Sequence, residues 1–302
     1  MKTRKGLEIQ PDIRKTRIYK YNRKNKLKIK MKKNNIEILN ELIKRPLIKQ
    51  RSPEWFKLRE DKLTASDLYD AVNNPLSLAK KKLKGITFNS NSIPALKWGT
   101  MFEPMAIRIY SNMKNKRIHE FGLIINEEIE NFGASPDGIT EDGIMIEIKC
   151  PISRKIEDGN IPKKYYYQIQ GQLAVCNLDK CDYIECEFVL YEDEDEYLKN
   201  IENKNNYSHG IIAEKKENNE YNYIYSSDKQ DGKSNIEEME KYINLDYKLN
   251  YWGLKLINIQ SVDFDKNNWE NNIVNKIKIF NEIYINEKKL LNPINLFIEE
   301  EN

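Results

Sequence analysis

The fold is decided by the stretch Gly133-Ala-Ser-Pro-Asp137-Gly-Ile139 and, four residues further on, Ile144-Met-Ile-Glu147-Ile-Lys149-Cys-Pro151. Apolar and polar residues alternate in the second segment, as in a β-strand, and the Asp142-Gly143 pair between the segments is a hairpin signal. Residues two apart in a strand share a face, so Glu147 and Lys149 point one way while the three isoleucines point to the core. The sequence therefore predicts two paired strands that present an acid and an amine together.

The turn between these strands decides whether Asp137 joins Glu147. A two-residue turn would set Asp137 opposite Ile148, on the other face, because a shift of one residue exchanges the two faces of a strand. A three-residue turn or a bulge would set Asp137 opposite Glu147. Two carboxylates and the Ile148 carbonyl suit Mg²⁺ or Mn²⁺, so this second register predicts a metal site. The alternative is a solvent-exposed Glu-Lys pair on an edge strand.

The composition narrows the class of protein. With 302 residues, 39% hydrophobic and 32% charged, the chain can form one large domain or two small ones. A run of eighteen apolar residues and a signal-like apolar segment are both missing from the sequence, so we expect an intracellular protein that does not cross a membrane. His119 and His209 are the two histidines, which disfavours a Ser-His-Asp arrangement or a zinc triad. Catalysis would have to use carboxylates, lysine and metal.

Basic residues are concentrated at the N-terminus. Residues 1–50 contain 17 Lys and Arg against four acidic residues, a balance of +13, whereas the whole chain carries +3. Such an arm favours contact with nucleic-acid phosphates, because lysine and arginine release the counterions condensed there. A solvated tail or a localisation signal is the alternative.

Periodicity and turn signals predict a mixed α/β fold with a central sheet flanked by helices. Residues 1–49 form the predicted basic arm, which is flexible apart from one short helix at Asn34–Arg45, and residues 50–302 form the predicted compact domain. The other predicted helices are Pro53–Arg59, one opening near Thr64 or Ser66, Ser77–Lys84, Pro94–Met113, Lys163–Asn177, Asn235–Tyr251 and Asn267–Leu290. The predicted strands are Arg117–Asn126, Asn131–Ile139, Gly143–Cys150, Asp182–Tyr191 and Leu254–Phe264, with a turn at Glu192–Glu196 and a hairpin within Gly210–Ser226.

Six motifs, in this order, resemble the lambda-exonuclease family, or YqaJ-like viral recombinases, a branch of the PD-(D/E)xK nucleases. They are Arg51-Ser-Pro-Glu-Trp55-Phe-Lys-Leu-Arg59, Leu63-Thr-Ala-Ser66, Trp98-Gly-Thr-Met-Phe-Glu103, Ala134-Ser135-Pro-Asp137-Gly, Ile146-Glu147-Ile-Lys149-Cys-Pro and Tyr167-Gln168-Ile-Gln170. The resemblance covers a motif core at residues 51–191 and is weaker over residues 192–302. It implies a restriction-endonuclease-like fold.

The resemblance also implies a role for each matching residue. Asp137 and Glu147 would be metal carboxylates beside the Ile148 carbonyl, Lys149 the catalytic lysine, and Glu103 a helix acid that supports the metal or its water. Four polar residues would surround the terminal phosphate of a DNA end: Arg59, Ser66, Ser135 and Gln168. The alternatives are a helix-surface glutamate for Glu103, a surface charge for Arg59, a helix cap for Ser66, and a polar helix face for Gln168 with Gln172.

For function, the resemblance implies a Mg²⁺- or Mn²⁺-dependent deoxyribonuclease, a 5′-to-3′ exonuclease on double-stranded DNA ends that leaves 3′ single strands for recombination or repair. An endonuclease or structure-specific nuclease of the same fold, or a DNA-binding module without activity, are the alternatives. The implied partners are DNA ends, a single-strand annealing protein and further copies of the chain. We expect no iron-sulfur cluster, because Cys150, Cys176, Cys181 and Cys186 lack the spacing of the cluster-bearing nucleases.

Overall fold

The computed structural model describes residues 33–85, 93–202, 208–218, 220–227 and 231–291, so most of the predicted arm lies outside the described residues. Side-chain caps start two of the helices: Asn34 and Glu37 form a capping box, and the Ser52 side chain accepts from the Trp55 backbone N–H. The helices are α1 (Asn35–Ile43), α2 (Pro53–Glu60), α3 (Leu68–Asn73), α4 (Pro75–Leu83), α5 (Pro94–Lys114), α6 (Lys163–Cys176), α7 (Glu194–Glu202), α8 (Gly232–Met239), α9 (Lys266–Asn268) and α10 (Val274–Leu291).

The strands form two sheets. They are β1 (Leu63–Thr64), β2 (Ile118–His119), β3 (Ile124–Ile125), β4 (Phe132–Ala134), β5 (Gly138–Thr140), β6 (Met145–Lys149), β7 (Lys180–Tyr191), β8 (His209–Glu217), β9 (Glu220–Tyr225) and β10 (Lys248–Asp263). The small sheet has the order β1-β4-β3, and the large one β2-β5-β6-β7-β10-β8-β9. Because β6 and β7 are parallel and the other neighbours in the large sheet antiparallel, this sheet is mixed.

Strand β6 lies in the interior of the large sheet and is covered on both faces. Ile146 and Ile148 pack with α5, in the cluster that contains Phe102. Met145 points the other way, into the main core that contains residues of α3, α6 and α10. Glu147 follows Met145 by two residues and therefore lies on the α6 face. This position rules out a solvent-exposed Glu-Lys pair on an edge strand.

The turn between β5 and β6 has three residues. The Thr140 backbone N–H donates to the Ile144 carbonyl at 2.8 Å, which leaves residues 141–143 in the loop. Gly143 closes the loop with φ of +81°, a conformation that strongly favours glycine. The strands then pair Gly138 with Ile146 and Ile139 with Met145. Of the two registers that the sequence allows, this is the one that faces Asp137 toward Glu147.

Helix α1 belongs to the compact body. Its residues Ile38, Leu39 and Leu42 are buried in the main core, and the compact unit begins at Asn34. The predicted boundary at residue 50 therefore falls inside this unit, because the short helix of the predicted arm carries an apolar stripe that the core covers.

Two predicted strands are each divided between the two sheets. Arg117–Asn126 contains β2 and β3, and Asn131–Ile139 contains β4 and β5. The second break falls at Ser135-Pro136, because proline has no N–H to continue a ladder. Near the first break, Gly122 passes so close to the Ile48 carbonyl that a Cβ would lie 2.0 Å from its oxygen. Local pattern alone did not reveal either change of sheet.

Two further predictions assigned the wrong secondary structure to part of the chain. The acidic run Glu192–Glu196 is not a turn: it leads into α7, whose first turn is acidic and is favoured by the helix dipole. The predicted helix Asn235–Tyr251 ends early, because α8 and a 3₁₀ segment at Glu240–Leu245 stop at Asp246, whose φ is +61°. From Lys248 onward the chain is strand β10, while the predicted hairpin forms as β8 and β9.

Candidate active site

Asp137 and Glu147 are brought together by the β5–β6 register. Asp137 precedes Gly138, and continuing the pairing by one residue sets it opposite Glu147. The Ile148 backbone N–H donates to Asp137 Oδ2 at 2.7 Å, which fixes the aspartate against β6. Both carboxylates thus lie at the end of β6 that leads into the loop after Lys149.

Three side-chain donors surround the Glu147 carboxylate, which is fully buried. Its Oε1 accepts from the Lys149 ammonium and from Gln168 Nε2, the latter at 2.7 Å. Its Oε2 accepts from Gln172 Nε2 at 2.7 Å. Gln168 and Gln172 are one helical turn apart on α6, so one face of that helix holds both oxygens of the carboxylate.

Burial and neighbouring charges shift the pKa values of two residues at this site. Burial, together with the charges of Glu147 and Glu103, raises the pKa of Asp137 well above its usual range. Burial opposes the charged form of Lys149, but Glu147 and Asp137 outweigh it and raise the pKa of the lysine. The site is therefore rich in carboxylate charge, and Lys149 is held as an ammonium beside it.

Glu103 projects from α5 toward the same region but has a partner of its own. Arg51 Nη2 lies 2.7 Å from Glu103 Oε2, and the two side chains are 45% and 26% exposed. Arg51 has φ of +65°, whereas the other non-glycine residues with positive φ in the described chain are all Asn or Asp. Glu103 is therefore partly buried and paired rather than a free helix-surface glutamate, and the sequence did not predict its arginine partner.

The four residues expected around a terminal phosphate converge on one cavity. Arg59 Nη2 lies 3.3 Å from Ser66 Oγ, and the Arg59 guanidinium stacks 4.1 Å above the Trp55 ring. Trp55 Nε1 donates to Ser135 Oγ at 3.0 Å. These residues, with Gln168 and Asp137, line a cavity of about 140 Å³. Arg59 is therefore not simply a surface charge, and the Ser66 side chain caps neither the 3₁₀ turn nor α3.

A larger groove of about 760 Å³ borders the same residues. Arg51, Lys149, Arg154 and Lys164 contribute positive charge to it, and Asp67, Glu103 and Glu220 contribute negative charge. Arg154 is anchored by an ion pair to Glu185, which is fully buried. The groove includes Lys149 and Gln168, which bind the Glu147 carboxylate, and its cations would attract a polyanion.

The sequence of this region matches a known family. Residues 54–179 match the profile of the YqaJ-like viral recombinase domain. These residues are therefore similar to a YqaJ-like viral recombinase domain. A curated protein that matches the chain, uncharacterized protein R354 of Acanthamoeba polyphaga mimivirus, is 30% identical over 184 residues. The match covers 53% of this chain but 33% of that protein, so the chain spans about a third of its relative's length.

Solved structures share the fold of this chain. The alkaline exonuclease LHK-Exo from Laribacter hongkongensis has a TM-score of 0.51 at 21% identity, over 82% of this chain and 100% of that one. Its complex with dAMP has a TM-score of 0.50 at 22% identity and the same coverage. The expected PD-(D/E)xK fold is thus confirmed. Among the described residues, no helix combines the length and apolar character that crossing a bilayer requires.

The oxygen atoms at the candidate active site suit a hard divalent cation. Asp137, Glu147 and the Ile148 carbonyl offer oxygen ligands, and Mg²⁺ characteristically keeps several waters beside one or two carboxylates. Within the described residues, no three His, Cys, Asp or Glu side chains form a ready-made cluster. The third acidic side chain, Glu103, is turned to Arg51. A cation would also offset the burial and the neighbouring carboxylates that together raise the pKa of Asp137.

All eight predicted site side chains lie within the matched residues, but other contributors were missed. Trp55 links Arg59 to Ser135, and Thr64 Oγ1 lies 2.9 Å from Ser66 Oγ. Gln172 was interpreted only as part of a polar helix face, although its spacing of four from Gln168 was the available signal. Arg51 opens the first of the six motifs, but its ion pair joins residues 52 positions apart and could not be predicted from local pattern.

Proposed function

We propose that the chain is a divalent-metal-dependent deoxyribonuclease that degrades double-stranded DNA from its ends, 5′ to 3′, and leaves 3′ single strands for recombination or repair. One observation carries the proposal: the β5–β6 register sets Asp137 against Glu147 and Lys149, beside a cavity lined by Arg59, Ser66, Ser135 and Gln168. The fold shared with an enzyme named an alkaline exonuclease supports it.

Each residue of the proposed site would have its own chemical role. Asp137, Glu147 and the Ile148 carbonyl would hold the metal, which when bound supplies charge stabilisation and an acidified water. Lys149, an ammonium beside Glu147, would stabilise negative charge that develops on the scissile phosphate. Glu147 itself is kept in place by Gln168 and Gln172.

End recognition would fall to the cavity. Arg59 offers a cationic fork, Ser66 and Ser135 offer hydroxyls, and Gln168 an amide. Such a set suits a terminal phosphate, which has more free oxygens and more charge than an internal phosphodiester. Placing a 5′-phosphate there would bring the adjacent phosphodiester to the carboxylates, which favours degradation from a 5′ end.

The test is cleavage of a 5′-phosphorylated linear duplex and of a covalently closed duplex in Mg²⁺, Mn²⁺ or Ca²⁺. We expect degradation of the linear form alone, in Mg²⁺ or Mn²⁺, with Ca²⁺ occupying the site without turnover because its coordination is larger and looser. Cleavage of both forms would indicate an endonuclease. Cleavage of neither, with DNA binding retained, would indicate a binding module.

Three variants locate the activity. Asp137→Asn, Glu147→Gln and Lys149→Ala should each lower the cleavage rate by about 100-fold or more while duplex binding persists. Glu187→Gln serves as the control, since Glu187 pairs with Lys255 at 2.6 Å and lines neither the cavity nor the groove. Wild-type rates in any of the three variants would remove that residue from the proposed site.

A further inference from the structure

Arg51 stands in a conformation that is unfavourable for its residue type. Its φ of +65° lies in the left-handed region, where a Cβ is strained and where glycine, asparagine and aspartate are the usual occupants. Arg51 directly precedes Ser52, the N-cap of α2. Neither a cap nor a turn requires an arginine there, and glycine would meet the backbone geometry without strain.

The strained backbone places the side chain at the groove. Arg51 lines the groove together with Lys149, Arg154 and Lys164. Glu103 lines the same groove, and Arg51 Nη2 donates to Glu103 Oε2 at 2.7 Å. Because a guanidinium carries five N–H donors in a rigid fork, this contact leaves donors for a second anion. The side chain is 45% exposed, so a ligand in the groove can reach it.

We propose that Arg51 is a DNA-binding residue, whose guanidinium holds Glu103 with one amino group and binds a backbone phosphate of DNA in the groove with the others. The inference rests on the proposed function, since it takes DNA as the occupant of the groove. Arg51 also sets a positive charge beside Glu103, the acid whose field reaches Asp137. It lies three residues before the stretch that matches the family profile.

The test measures duplex binding in Ca²⁺ by fluorescence anisotropy, from low to high salt, for the wild type and Arg51→Gly. Each phosphate contact contributes about 0.9 to the slope of log K against log salt on B-DNA. Arg51→Gly should therefore lower this slope by about one and weaken binding several-fold at 0.15 M salt. Arg51→Lys should retain the slope, because it keeps the charge, but bind more weakly because it loses the fork.

Arg45→Ala is the matched control. Arg45 also pairs with a glutamate, Glu127, at 2.6 Å, and its side chain is 41% exposed, but it does not line the groove. Its salt slope should equal that of the wild type. The melting temperature separates misfolding from lost binding: Arg51→Gly should melt at about the wild-type temperature, because relief of backbone strain offsets the loss of an exposed ion pair.

The outcomes distinguish this inference from the proposed function. A normal salt slope in Arg51→Gly, with wild-type binding and cleavage intact, would overturn the inference alone. An equal loss of slope in Arg45→Ala would also overturn it, because the effect would then be general. A wild-type chain that binds no duplex would overturn both.

Discussion

Two buried glutamines on α6, two residues apart, have different partners. Gln170 bonds only to backbone: its Nε2 donates to the Asp263 carbonyl at 3.0 Å and its Oε1 accepts from the Asp265 N–H at 2.8 Å. Gln172 donates to Glu147, while its Oε1 has no partner among the described residues. A buried acceptor without a partner costs free energy, which indicates that Gln172 contributes through its donor.

We therefore expect Gln172→Met to impair metal binding and Gln170→Met to impair stability. Gln172→Met should weaken metal binding by about 10- to 100-fold, the usual effect of losing a group that orients a metal ligand. Gln170→Met should leave metal affinity unchanged and lower the free energy of unfolding by about 1–3 kcal/mol, because two backbone groups lose their partner. Calorimetric titration with Ca²⁺ and urea denaturation measure the two quantities. Equal metal affinities in both variants would contradict the expectation.

Arg59 provides the test of end recognition. Arg59→Ala should slow degradation of 5′-phosphorylated duplex by about 10- to 100-fold, corresponding to a charged hydrogen bond of roughly 1.5–3 kcal/mol. It should hardly change the rate on 5′-hydroxyl duplex, because the lost contact exists only with the phosphate. Initial rates on the two ends, for wild type and variant, give the answer. A loss of the same size on both ends would assign Arg59 to general DNA binding or to structure.

At the scale of elements, the β5–β6 turn controls the site. Gly143 has φ of +81°, and a Cβ there would lie 2.5 Å from Asn35 Cβ. Gly159 has φ of +74° but open space around it. Gly159→Ala should cost roughly 1–2 kcal/mol from the left-handed backbone alone, and Gly143→Ala distinctly more because the turn must shift.

Urea denaturation of these two variants, with cleavage assays on each, checks the expectation. Gly143→Ala should also lose activity, because a displaced turn changes how Asp137 faces Glu147. Gly159→Ala should keep the Asp137–Glu147 register. Equal losses of stability in the two variants would show that α1 does not constrain the turn.

Much of the fold and of the candidate site could be predicted from the sequence, but only where the interactions that determine them are local. The positions of α1, α2 and α5 and the alternation in β6 were predicted from the sequence. The sequence left two registers open, and the structure selects the one with a three-residue turn, which Gly143 closes at a φ of +81°. Changes of sheet within Arg117–Asn126 and Asn131–Ile139 depend on distant partners, as do the contacts of Glu103 and Gln172. The family motifs predicted which polar residues lie together at the candidate site, but not the hydrogen bonds and ion pairs that fix each side chain.

At the scale of the whole molecule, the charge of the chain is unevenly distributed. Deleting residues 1–33 removes 14 lysines and arginines and two acidic residues, while the compact unit begins at Asn34. The deletion should weaken DNA binding and lower its salt slope, because phosphate contacts are lost, without changing the melting temperature. Anisotropy titrations at several salt concentrations measure this. An unchanged slope would make the arm a tail or a localisation signal.

The seating of α1 against the β5–β6 turn affects how the protein should be shortened for expression. A recombinant chain trimmed to begin at Gln50 would retain every residue of the matched domain and every predicted site residue. It would nevertheless lose the three apolar side chains of α1 from the core and Asn35 from beside Gly143. Such a chain would be expected to yield insoluble or misfolded protein, so a cleavage assay on it would not test the proposed nuclease activity. Trimming at Asn34 keeps the helix that packs against the β5–β6 turn.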